Sequence, residues 1–123
     1  MTAPDRAWLA LGAGVAAPVR YRAGAAGRST DRRPFPTGTF AVNCLACLLL
    51  GIALQMRVPL AWVQSLVAIG FCGALSTWST LAWEVTGFVR TGGNRLAVLC
   101  LGATVVAGVA LAWAGTEVGR PVW

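Results

Sequence analysis

Residues 70–80 read GFCGALSTWST and place four hydroxyl side chains, Ser76, Thr77, Ser79 and Thr80, within five positions, just after Gly70 and Gly73. Asn43 sits in a separate apolar run, and Glu84 is the only charge in residues 59–89. Hydroxyl and amide hydrogens, with the positive edges of aromatic rings, can replace the water around a small, strongly hydrated anion. Glycines beside them permit a helix break, and the carbonyls freed there are hard oxygen ligands suited to a cation such as sodium. The blander alternatives are that the hydroxyls bond back to their own helix carbonyls and that Asn43 is interhelical glue. A proton relay would need carboxylates and histidines, whereas the chain has four acids and no histidine. A drug-sized organic cation would want a membrane-buried carboxylate early in a small bundle, and residues 7–21 have none. Cys44 and Cys47 share a helix face, but zinc wants four ligands, so Cys44, Cys47, Cys72 and Cys100 read as small apolar packing residues. These patterns point to a binding or transport site and not to an enzyme.

The elements that must position these groups are membrane helices. The chain has 123 residues, a mean hydropathy of +0.68 and only 11% charged residues, far below the quarter usual in a soluble domain. Residues 38–56 and 96–115 carry no charge at all. A bilayer core takes roughly 20 apolar residues per helix, and a chain of this size cannot bury all these runs in a soluble core. The N-terminal stretch is shorter and contains Pro18. Arg6 before it and Ala23, Ala25 and Ala26 after it give it features of a cleaved leader. Asp5 and the following spans favour a short first span whose Arg20 and Arg22 snorkel to the headgroups. The expected fold is thus an all-α membrane protein, one domain over residues 1–123, with four spans near 7–21, 38–56, 59–89 and 95–115.

Thirty-one residues in one straight helix would reach about 46 Å at 1.5 Å per residue, so the third span is expected to break near 73–77. Residues 22–37, rich in glycine, arginine and proline, read as an irregular loop. The connections at 57–59 and 90–95 are short, which makes neighbouring spans antiparallel. Small residues, Ala46, Gly51, Gly102, Ala103, Ala107 and Gly108, are expected to face other helices, because close backbone approach is what draws helices together in lipid. Trp8, Trp62, Trp83 and Trp113 fall near span ends, as interfacial belts do, while Trp78 falls at the break. Glu84 is placed to reach the interface or to pair with Arg20 or Arg90.

All ten basic residues are arginines and the formal net charge is +6. They cluster between spans, so they speak to topology and not to nucleic acid. Arg6, Arg57 and Arg120 share one side; Arg20, Arg22, Arg28, Arg32, Arg33, Arg90 and Arg95 share the other. Seven against three predicts both termini outside.

Gly38-Thr39-x3-Asn43, followed by GFCGALSTWST and Glu84, resembles the Fluc/CrcB family of fluoride channels, and Arg20-Tyr21 after a Gly/Ala-rich first span is similar to its N-terminal pattern. The resemblance covers essentially the whole chain. It implies passive, fluoride-selective flow that lowers cytoplasmic fluoride, in a multi-pass protein of the bacterial plasma membrane. It also implies an antiparallel, dual-topology dimer with a structural sodium ion at its centre. By position, the sodium ligands would be the backbone carbonyls of Gly73 and Ser76. The anion path would run past Asn43, Thr77, Trp78, Ser79, Thr80 and Leu81, with Arg20 and Glu84 as vestibule or structural charges.

The family carries phenylalanine where this chain has Trp78 and Leu81, and leucine offers no positive ring edge. Residues 96–115 supply only Cys100 and Thr104 where the family pattern has tyrosine and serine. With the uneven arginines, these departures lead to the expectation of one member of a heterodimeric pair, its partner keeping the pore aromatics. A self-sufficient homodimer and a non-conducting structural pairing subunit are the alternatives. A small multidrug transporter is similar in outline only.

Overall fold

The computed structural model describes residues 2–30, 35–56, 60–76 and 78–120. Every regular element among them is helical: α1 (Ala3–Thr30), α2 (Thr37–Gln55), α3 (Ala61–Val63), which continues as a π-helical stretch, π1 (Gln64–Cys72), and then as α4 (Gly73–Leu75), followed by α5 (Trp78–Arg90) and α6 (Asn94–Gly119). Three helical runs are long and apolar enough to cross a bilayer: Thr37–Gln55, Ala61–Arg90 and Asn94–Gly119. Composition and length therefore make this a multi-pass membrane protein.

The start of α1 is written in its first residues. The Thr2 hydroxyl and amide both donate to Asp5 Oδ2, at 2.6 and 2.8 Å, with Pro4 in the first turn, where a missing N–H costs nothing. Those two bonds, the hydroxyl's first, hold the Asp5 carboxyl below its usual range. The far end of α1 corrects the expectation of a loop over residues 22–37: the helix continues to Thr30. Ala23, Ala25 and Ala26 favour helix, and Gly24 and Gly27 beside them serve packing. A Cβ on Gly27 would lie 2.7 Å from the Gly38 nitrogen, and one on Gly38 would lie 2.5 Å from the Ala23 carbonyl oxygen. Glycine at both positions lets the end of α1 touch the start of α2.

The same device orders the rest of the bundle. Gly12 abuts the Leu66 carbonyl and Gly70 the backbone at Leu9, so α1 and π1 run side by side. On the other flank Gly51 meets Ala112 and Gly115, Gly108 meets Cys47, and Gly119 meets Gln55, which sets α2 and α6 parallel and close. Ala46, Gly51 and Gly108 are buried as expected of packing residues; Gly102 is exposed with open space beyond its Cα, so it faces outward instead. Gln64 Nε2 donates to the Ala53 carbonyl at 3.2 Å, tying the end of α2 to the start of π1. The turn at 57–59 itself lies outside the described residues. Between α5 and α6, Gly92 takes φ +82°, and the amides of Gly92 and Gly93 bond the Val89 and Phe88 carbonyls. That is a Schellman ending, which needs a left-handed residue at this point.

At the centre, Ala16, Val42, Ala46 and Leu75 form a small core with Ala23, Phe71 and Ala74 packed around it. Trp8 and Trp62 pack with ring centres 5.1 Å apart and planes tilted by 39°, near the starts of α1 and α3. Leucines and valines face outward along α2 and α6, the pattern of helices whose solvent is lipid.

Candidate functional site

The site grows from the interruption in the third apolar run. Residues of π1 follow i→i+5 bonding, which packs more residues into a given length than the plain helix expected there. The Ser76 amide still bonds the Cys72 carbonyl at 3.0 Å, but Ser76 itself is extended, with φ −72° and ψ 138°. Helix resumes at Trp78, and Thr77 lies outside the described residues. Leu75, fully buried against Ala16, Val42 and Ala46, anchors the last helical residue before the interruption.

Beside this point opens a groove of about 320 Å³ between α2, α5 and α6. It brings together four residues singled out from the sequence, Asn43, Ser76, Trp78 and Leu81, and adds Thr104. Asn43 is 5% exposed and Leu81 2%, whereas Trp78 is 67% exposed at the rim. Val105, Gly108 and Val109 of α6 complete an otherwise apolar wall, with Cys47 opposite. Ser79 and Thr80 are not part of this wall; Ser79 is exposed on α5 and Thr80 half-buried. Asn43 and Ser76 carry N–H and O–H groups, and Trp78 an indole N–H. Thr104 differs, because its hydroxyl donates to the Cys100 carbonyl at 2.7 Å. Its single proton is thus held by its own helix, and toward the groove its oxygen is an acceptor.

Glu84 takes a partner that sequence reasoning missed. The Thr39 hydroxyl donates to Glu84 Oε1 at 2.9 Å, and Oε2 is buried as well. Thr39 is 5% exposed and lies one turn before Asn43 on α2, a spacing that could have flagged it. Arg20, expected as a possible partner of Glu84, instead donates from Nη1 to the Ala74 carbonyl at 3.2 Å. Arg90 is exposed at the end of α5. The four cysteines are free thiols, and no cluster of histidine, cysteine or acidic residues among the described residues could hold a metal. Among the described residues, the oxygens at the interruption that could serve a cation are backbone carbonyls, hydroxyls and the Asn43 amide.

Comparison with known proteins identifies the family. Residues 7–116 match the family described as CrcB-like protein, Camphor Resistance (CrcB). The chain is 40% identical over 126 residues to the fluoride-specific ion channel FluC 1 of Frankia casuarinae, covering 94% of this chain and 98% of that protein. It is 36% identical to FluC 1 of Streptomyces avermitilis, over 94% of this chain and 98% of the relative. It is 39% identical to FluC 2 of Rhodococcus jostii, over 87% and 91% respectively.

Proposed function

The chain belongs to the CrcB family of membrane ion channels and so is not an enzyme, and from that premise we propose that it is a fluoride-channel subunit, one member of a pair of unlike subunits in inverted orientation. The observation that carries this reading is the groove beside Ser76. It joins Asn43, Ser76 and Trp78 on an apolar wall open on the surface of a single chain. A groove of that kind becomes a closed path when a second subunit covers it. Inside, the donors replace an anion's water while the apolar wall offers cations nothing. Ser79 and Thr80, which follow Trp78 on α5 but lie off this wall, are further donors of the proposed path on the strength of the family resemblance. In this reading α1 supplies the first of four spans, with both termini outside.

A structural sodium ion at the subunit contact is part of the proposal. The local chemistry fits it: Ser76 is extended, so regular helical bonding stops there, and Gly73 is exposed with open space around its Cα. Carbonyls of Gly73 and Ser76 would be hard donors from one chain, with the partner completing the shell. Such an ion would hold the two subunits together without moving through the path.

Three features support pairing with an unlike subunit. Leu81 stands where a ring edge would serve an anion, and Thr104 presents an acceptor. The arginines divide seven to three, which favours one orientation. Relatives also carry numbered names, FluC 1 and FluC 2, as paired subunits would. The test is fluoride efflux from liposomes followed with a selective electrode, with this chain alone and with an inverted-topology partner. Efflux only from the mixture supports the pair. Brisk efflux from the chain alone makes it a homodimeric channel, and a mixture insensitive to Asn43→Ala and Ser79→Ala makes it a structural subunit.

A further inference from the structure

Arg20 occupies an unusual place for an arginine in an apolar bundle. It is half-buried on α1, and its guanidinium reaches across to the Ala74 carbonyl, 54 residues away in sequence. Ala16, one turn earlier on the same face of α1, is fully buried and packs in the core with Leu75. Two adjacent residues of the interruption, Ala74 and Leu75, are therefore gripped by two positions of one helix face. One grip is polar and directional, and the other is apolar.

The chemistry explains the choice of arginine. The last turn of a helix leaves carbonyls without amide partners, and the negative end of the helix dipole favours a cation there. A guanidinium keeps its charge when buried and offers several donors in a rigid plane. A half-buried guanidinium without an acceptor would be costly, so the bond to Ala74 is what makes it tolerable. It also takes the Ala74 carbonyl out of the set available to any other cation. We propose that Arg20 is the positioning residue of the interruption: by holding the Ala74 carbonyl, it fixes the peptide planes on either side and leaves Gly73 and Ser76 to face a bound cation. The cation part of this statement rests on the sodium reading above; the clamp itself does not.

The test is amide hydrogen exchange of the assembled channel in nanodiscs, read at residues 74–80, with and without sodium. Arg20→Met should accelerate exchange there about tenfold or more even without sodium, the scale of one lost charge-assisted bond. Arg20→Lys should restore part of the protection, because an ammonium can still donate but lacks the planar fork. The sodium concentration that half-protects these amides should rise about tenfold in Arg20→Met. Exchange within twofold of the parent in that variant would overturn the clamp. A sodium midpoint that falls would show that Arg20 acts only as a repelling charge, and would also overturn it. If Arg20→Met does not fold, Arg20→Gln is compared with Arg20→Lys by the same criteria. Should sodium fail to protect the parent protein, the cation reading falls, while the sodium-free exchange still decides the clamp.

Discussion

Replacing Thr39 by valine removes one hydroxyl and keeps the side chain's shape, so it isolates the bond to Glu84. That bond is 2.9 Å long, and Thr39 itself is buried. A hydrogen bond to a charged group contributes about 1.5–3 kcal/mol, and a carboxylate oxygen that loses a donor away from water keeps its desolvation cost. Thr39→Val should therefore destabilise the folded protein by about 2 kcal/mol in reversible unfolding from mixed micelles. The pair also joins α2 to α5, the two helices that bring Asn43 and Leu81 to the groove, so fluoride efflux should fall as well. A double-mutant cycle sharpens the figure. In a Glu84→Gln background the acceptor is neutral, so the same Thr39→Val change should cost about 1 kcal/mol less. A loss below about 0.5 kcal/mol in the parent, or no coupling in the cycle, would refute the reasoning that this pair fastens the two helices.

Other expectations follow from single positions. A Cβ on Gly115 would strike the Leu48 carbonyl and sit 3.0 Å from the Ile52 nitrogen, so Gly115→Ala should cost about 1–3 kcal/mol, whereas Gly102→Ala, with open space around it, should be neutral or gain up to about 1 kcal/mol; micelle unfolding compares the two. Because the folded Asp5 carboxyl titrates below its unfolded value of about 3.9, its support for the first turn of α1 is present above that pH. It is lost as pH falls through the folded value, so exchange at residues 3–6 should rise on acidification, and Thr2→Ala should flatten that response. Leu81→Phe restores a ring edge at the floor of the groove and should raise fluoride efflux of the chain reconstituted alone; unchanged efflux from well-folded protein would remove Leu81 from the explanation.

The apolar runs at 38–56, 59–89 and 96–115 were legible because length and hydropathy alone decide such elements. Asn43 and Ser76 were legible because hydroxyl and amide groups in lipid have few uses, Trp78 and Leu81 only through the family resemblance, and the four converge on one groove. The continuation of α1 to Thr30 was hidden by its glycines and arginines, which resemble a loop in composition although the glycines serve a contact with Gly38. The i→i+5 bonding of π1 leaves no periodic trace in an almost uniformly apolar stretch. Thr39 with Glu84 and Arg20 with Ala74 join residues 45 and 54 positions apart; the spacing of Thr39 to Asn43 could mark Thr39 as a site residue, but no local pattern names either partner. Gly102 misled because a small residue reads the same whichever way it faces.

The most direct test of the groove as the anion path is chemical blockade. In a background with the four native cysteines replaced, Val109→Cys places a thiol on the groove wall, where Val109 is 67% exposed. The channel is reconstituted with its inverted partner and treated with a bulky charged thiosulfonate, and fluoride efflux is followed to full modification. Loss of efflux in step with labelling is the expected result; efflux that continues undiminished through a fully modified groove would contradict the account.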